Sequence, residues 1–107
     1  MSDWIDVCPA AELPPGGHRV VALEDTRVAV YGLDGGYYAI EDMCTHDYAE
    51  IACGRLEGDQ IICPRHGARF SIKTGAALTP PAFEPIHTFP VRVENGVVQL
   101  RDDRWDD

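Results

Sequence analysis

The chain has 107 residues, 45% of them hydrophobic, and its 18 acidic against 9 basic side chains leave a net charge of −9. That length suits one domain with a real core, and no apolar stretch approaches the ~20 residues a membrane-spanning helix needs. The acid excess argues against nucleic acid and anionic membrane as partners, since both call for a basic footprint; it suits solubility, or steering toward a basic patch on a protein. The start, Met1-Ser2-Asp3, is acidic and followed by no apolar signal-peptide core, so a soluble cytoplasmic protein with reduced cysteines is expected.

In chain order, residues 4–8 form a short apolar-rich run expected to be a strand. Residues 9–13 can make one helical turn with Pro at its first position, and Pro14-Pro15-Gly16-Gly17 stops it. From there the dominant period is two, with turn signals at regular intervals. Residues 19–23 and 26–33 read as strands joined at Glu24-Asp25. Asp34-Gly35 then predicts a type I′ hairpin, whose two central residues need positive φ, with residues 37–40 as the return strand. Residues 55–57 and 60–62 flank Gly58-Asp59, a two-residue turn with Gly first. Residues 70–72 and a turn at 73–75 lead into residues 78–85, where Pro80, Pro81 and Pro85 exclude a central strand. A second hairpin is expected at Asn95-Gly96, between residues 91–94 and 97–100. In its first arm Val91 and Val93 share the buried face, and Arg92 and Glu94 the other. The acidic tail, residues 102–107, is expected to fray. The pattern is that of a small all-β domain carrying an inserted ligand-bearing segment.

The residues with metal chemistry are paired. Cys44-Thr45-His46 is followed, after the sixteen residues 47–62, by Cys63-Pro64-Arg65-His66. Residues i and i+2 of an extended loop face the same side, so Cys44 and His46 can address one centre. A hairpin across residues 55–62 would bring Cys63 back beside them, which gives the spacer a physical reason. Pro64 stiffens the second loop, and Gly67, without a Cβ, lets backbone approach closely. Two thiolates and two imidazoles suit tetrahedral zinc, and they equally suit a [2Fe–2S] centre with two histidines on one iron. The clips expected of zinc, Cys-x(2–4)-Cys and His-x(3–5)-His, are absent.

The surrounding residues carry a resemblance. Glu41-Asp42-Met43-Cys44-Thr45-His46, then Gly54-Arg55-Leu56-Glu57-Gly58, then Cys63-Pro64-Arg65-His66-Gly67-Ala68-Arg69-Phe70, then Thr74-Gly75 and the prolines, together resemble the successive landmarks of Rieske ferredoxins. The resemblance covers most of residues 37–86. It implies a Rieske fold of stacked antiparallel sheets over a single domain, 1–107. A cluster-binding subdomain at about 42–85, made of two ligand loops and a proline-containing loop, would be inserted into a β base. It also implies one [2Fe–2S] cluster, with Cys44 and Cys63 on the inner iron and His46 and His66 on the outer, reducible one.

Departures from the pattern matter too. Respiratory Rieske proteins link their loops by a disulfide, and the corresponding positions here are Ala49 and Arg65. Those proteins also place a serine and a tyrosine where this chain has Ala68 and Phe70, so two hydroxyl donors to cluster sulfur are missing. Such hydrogen bonds stabilise the more negative reduced state, and their loss lowers the potential.

The implied function is that of a soluble, monomeric one-electron carrier rather than an enzyme. It would pass electrons from an NAD(P)H-dependent flavoprotein reductase to a terminal ring-hydroxylating oxygenase in aromatic-compound degradation. The alternative is a small Rieske-type subunit of a larger reductase such as nitrite reductase. An oxygenase would need a further mononuclear iron on two histidines and a carboxylate, and only His18 and His87 remain, far apart in the chain. A zinc module that binds protein is the fourth reading, and colour separates it from an iron–sulfur protein. Cys8 is expected to be a small core residue, and Cys53 to have no ligand role. His18 and His87 are expected to be ordinary surface or satisfied histidines, and Tyr37, Tyr38 and Phe89 packing residues. Met43 and Tyr48 flank the first loop as candidate shields.

Overall fold

The computed structural model describes residues 4–43, 50–52, 54–64, 67–80 and 82–104. Among them are the strands β1 (Trp4–Pro9), β2 (His18–Ala22), β3 (Arg27–Leu33), β4 (Gly36–Glu41), β5 (Arg55–Glu57), β6 (Gln60–Ile62), β7 (Arg69–Ser71), β8 (Thr88–Phe89), β9 (Val91–Glu94) and β10 (Val97–Arg101). They form three sheets, ordered β1-β10-β9, β2-β3-β4-β8 and β5-β6-β7. Every strand pairing is antiparallel. The expected helical turn is a single 3-10 turn, Ala10–Glu12, with Pro9 as its N-cap rather than its first residue.

The middle sheet organises the packing, because β3 is buried on both faces. Val28 and Val30 enter one core with Leu13, Ala39, Phe89, Val98 and Leu100. Ala29, Tyr31 and Leu33 enter a second core with Ile40, Ile51, Ile61, Cys63, Phe70, Ile72 and Ile86. A strand packed on both sides has no polar face to alternate with, which is why Val28-Ala29-Val30-Tyr31 reads as a continuous apolar run. Each fully buried Val, Leu, Ile or Phe contributes about 1.5–3 kcal/mol, so β3 joins the base to the β5-β6-β7 layer energetically as well as spatially.

The hairpins follow the sequence with one correction. Asn95 (φ 53°) and Gly96 (φ 77°) both take the left-handed conformation that a type I′ turn requires. At Asp34-Gly35 only the glycine does so (φ 91°), so the expected type I′ turn is replaced by one that spares Asp34 the Cβ penalty. Gly58 leads its turn at φ 61°, with Glu57 opposite Gln60. On β9 the expected buried pair is half right. Val91 packs on the core, but Val93 is 45% exposed, since β9 is the edge strand of its sheet.

The tail also departs from expectation, because residues 102–104 are docked rather than frayed. The Arg104 guanidinium donates to the carboxylates of Asp102 (2.8 and 2.9 Å) and Asp25 (2.7 Å) and lies 5.7 Å from the Phe89 ring. Asp103 Oδ1 sits 2.9 Å from His87 Nε2. The hydrogen bond from Arg104 holds the Asp102 carboxyl below its usual range. This contribution is therefore complete above the unfolded carboxyl value of 3.8 and is lost as pH falls through the lower folded value. Arg104→Met is expected to cost on the order of 1 kcal/mol at neutral pH. The difference from the parent should vanish in strong acid, as urea melts at the two pH values would show.

Candidate metal centre

The chain leaves the middle sheet at the end of β4 and returns at β8, and the two points are joined by Glu41 N–H donating to His87 O (2.9 Å). Everything proposed to bind metal lies on the excursion between them. The first loop is closed at its root by Asp42. Its backbone N–H donates to Arg27 O (2.8 Å), and its carboxylate Oδ1 accepts from the backbone N–H groups of Ile51 (2.8 Å) and Ala52 (2.7 Å). Asp42 thus ties the chain just before residues 44–49 to the chain just after them. Cys44 and His46 belong to this stretch and lie outside the described residues, as do Tyr48 and Ala49; Met43 is half-buried.

The expected hairpin then turns the chain back. Arg55 pairs with Ile62 and Leu56 with Ile61, so Gly54 and Cys63 stand at the same end of the ladder. Gly54 donates its N–H to Ile51 O (2.9 Å), and a Cβ placed on it would stand 1.9 Å from Ile62 O. The root of the first loop and the strand leading to Cys63 are therefore in backbone contact that only glycine permits.

Cys63 itself is buried, 1% exposed, and forms no disulfide. Its N–H donates to Ala68 O (2.7 Å), and its carbonyl accepts from Gly67 N–H (3.0 Å), so Cys63 is joined to Gly67 and Ala68 by two backbone bonds. Gly67 sits at φ 75°, and among the described residues none beyond its chain neighbours comes within 4 Å of where its Cβ would stand. Arg65 and His66 lie outside the described residues. The proline segment is tied to β7 and the turn after it. Leu78 N–H donates to Arg69 O (2.8 Å), Thr79 Oγ1 accepts from Arg69 N–H (2.9 Å), and Ile86 N–H donates to Gly75 O (2.7 Å).

Among the described residues no three His, Cys, Asp or Glu side chains converge on a metal position, because three of the four expected ligands lie outside that set. What is present fits an iron–sulfur cluster. Cys63 offers a soft sulfur donor withdrawn from solvent, next to an open glycine backbone and without a disulfide partner. Ala68 and Phe70, where hydroxyl donors are missing, are fully buried in the same core as Cys63.

The remaining candidates are ordinary. Cys8 is half-buried at the margin of a core, beside a register shift in β1, rather than inside it; Cys53 lies outside the described residues. His18 is exposed and stacks on Tyr31 at 5.7 Å, and His87 pairs with Asp103. Phe89 is buried, the Tyr37 hydroxyl donates to Ala10 O (3.3 Å), and Tyr38 carries Lys73 over its ring. Sequence reasoning missed the role of Asp42. An Asp that caps its own turn bonds about two residues on, whereas Asp42 reaches nine and ten residues on, and no local pattern announces that.

The model of the Rieske [2Fe-2S] domain matches residues 3–90. The ferredoxin component of the naphthalene 1,2-dioxygenase/salicylate 5-hydroxylase systems of a Ralstonia species is 38% identical over 99 residues, covering 92% of this chain and 95% of that protein. Among solved structures, the complex of reduced oxygenase and oxidized ferredoxin in carbazole 1,9a-dioxygenase contains a chain that matches with TM-score 0.87. It is 39% identical, with 91% of each chain covered. A Mycobacterium tuberculosis protein assigned as the small subunit of an NADH-dependent nitrite reductase matches with TM-score 0.81. It covers 95% of this chain and 96% of its own, but at 23% identity that likeness is one of fold. The cofactor is thus a Rieske-type cluster and not zinc, and the all-β, three-sheet architecture is the Rieske fold: the chain belongs to the Rieske [2Fe-2S] domain family.

Proposed function

We propose that this chain is a soluble one-electron carrier that takes electrons from an NAD(P)H-dependent flavoprotein reductase and delivers them to a terminal ring-hydroxylating oxygenase acting on aromatic compounds. The observation that carries this reading is similarity to ferredoxin components over nearly the whole length of both chains. It is not itself an enzyme. The domain is 1–107, with a cluster-binding part at about 42–85 in a base made by the terminal strands. Its place is the cytoplasm, as a monomer, and no described helix is long and apolar enough to cross a membrane.

Cys44 and Cys63 would hold the inner iron, and His46 and His66 the outer. The bound cluster supplies a one-electron change, and the protein's part is to hold it, shield it and present one edge. Cys63 is buried while its neighbours Pro64 and Gly67 are exposed, so shielding is one-sided. Leu78 (45% exposed) and Phe83 (81%) add apolar surface on the proline segment for transient docking.

With Ala68 and Phe70 at the hydroxyl positions, the midpoint potential is expected toward the low end of the roughly −150 to +300 mV range of Rieske centres. A redox titration giving a respiratory-like high value would overturn that. Cys63→Ser should lose the red-brown colour together with iron and acid-labile sulfide. His66→Cys, if it assembles, should lower the potential further, because thiolate adds negative charge where imidazole had none; a rise would refute the assignment of the outer iron. Reconstituted turnover with a flavoprotein reductase and a ring-hydroxylating oxygenase tests the partners. A protein that is stable only with a large reductase subunit would support the nitrite reductase reading instead.

A further inference from the structure

Asp42 is the buried charged residue among those described, with 2% of its side chain exposed. Its Oδ1 is occupied by the Ile51 and Ala52 N–H groups, and its Oδ2 faces Arg27 Nε at 3.9 Å. Arg27 does not belong to Asp42 alone. Its side chain is 47% exposed, and its terminal nitrogen is bound by the Glu50 carboxylate. Asp42, Arg27 and Glu50 together therefore sum to one negative charge, and the carboxylate that supplies it is the buried one. Glu41, its neighbour, is differently placed, since Thr26 Oγ1 donates to it (2.8 Å) and Arg104 stands 3.8 Å away.

We infer that Asp42 is a positioning residue for the first ligand loop and also the fixed negative charge that helps hold the cluster's reduction potential down, with Arg27 partly offsetting it. The inference rests on the proposed cluster at Cys44, His46, Cys63 and His66. Two residues of chain span at most about 7 Å, so Asp42 is close in charge terms to any metal held by Cys44. Reduction adds an electron to the cluster. A buried carboxylate near it raises the energy of the more negative state, and solvent screens a buried charge little. Removing the carboxylate's charge raises the potential, and removing the guanidinium's charge lowers it.

The test uses the cluster-loaded protein and two changes that each remove one charge. Asp42→Asn keeps an oxygen to accept from Ile51 and Ala52, so the loop stays closed while the charge is lost. Arg27→Gln removes the positive charge from a half-exposed side chain. The midpoint is expected to shift upward in Asp42→Asn and downward in Arg27→Gln, with the electron paramagnetic resonance spectrum and iron content unchanged. Opposite shifts are what a merely structural role would not produce. Shifts in the same direction, or no shift in either variant, overturn the inference. Should Asp42→Asn not retain its cluster, Arg27→Gln decides: a fall supports the inference, and a rise or no change overturns it. Absence of iron and acid-labile sulfide from the unmodified protein would defeat the cluster reading and this inference together, whereas a loaded protein with unmoved midpoints defeats this inference alone.

Discussion

Replacing Gly54 by alanine is expected to cost the protein most of its cluster. The added Cβ would stand 1.9 Å from Ile62 O and 3.1 Å from Ile51 O. Both obstacles are backbone, so no side chain can rotate away to make room. Relief requires the start of β5 to move off β6, which breaks the pairing of Arg55 with Ile62 and displaces the residue just before Cys63. Overpacking of this kind costs about 1–3 kcal/mol or more, against a total stability on the order of 5–15 kcal/mol. More to the point, the strain falls between the two loops proposed to carry the ligands. Iron and acid-labile sulfide per protein should drop sharply in the purified variant. Gly58→Ala is the control. Its φ of 61° disfavours alanine by only about 1–2 kcal/mol, and its Cβ would meet nothing within 4 Å, so its cluster should be retained. A Gly54→Ala protein that loads and melts like its parent would show that the contact between the loops can yield.

Asp42→Ala should be strongly destabilising. It leaves the N–H groups of Ile51 (0% exposed) and Ala52 (8% exposed) without their acceptor. An unsatisfied buried donor costs about 1–3 kcal/mol, so a loss of roughly 2–4 kcal/mol is expected. In a domain of this size that lowers Tm by roughly 10–20 °C. Asp42→Asn should stay close to the parent, because the amide oxygen can still accept both bonds. Thermal melts followed by circular dichroism compare the three. Equal melting of the Ala and Asn variants would mean that the first loop is not held by this side chain.

These two sites show where sequence reading stops. The proposed ligand pattern could be drawn because it is local: Cys44 with His46, Cys63 with His66, and between them a hairpin whose Gly58-Asp59 turn can be read from its residues. Turn chemistry was legible at Asn95-Gly96, where both residues tolerate positive φ. It misled at Asp34-Gly35, where a glycine in the second place was enough. Asp42 stood among the recognised landmarks without a role, since its partners are nine and ten residues away. Arg104 looked like part of a frayed acidic tail until its partner Asp25, far off in sequence, lay beside it.

The amino-acid sequence by itself determined the strand-forming runs, the order of turns and the pattern of proposed metal donors, because each depends on neighbours within a few residues. Tertiary structure decided the rest. It buried β3 on both faces, left Val93 exposed at a sheet edge, brought Gly54 against Ile62 and folded a carboxylate over the root of a ligand loop. Each of these follows from how sheets stack and where chain segments return. Burial, close approach and buried charge arise only between segments that the chain brings together.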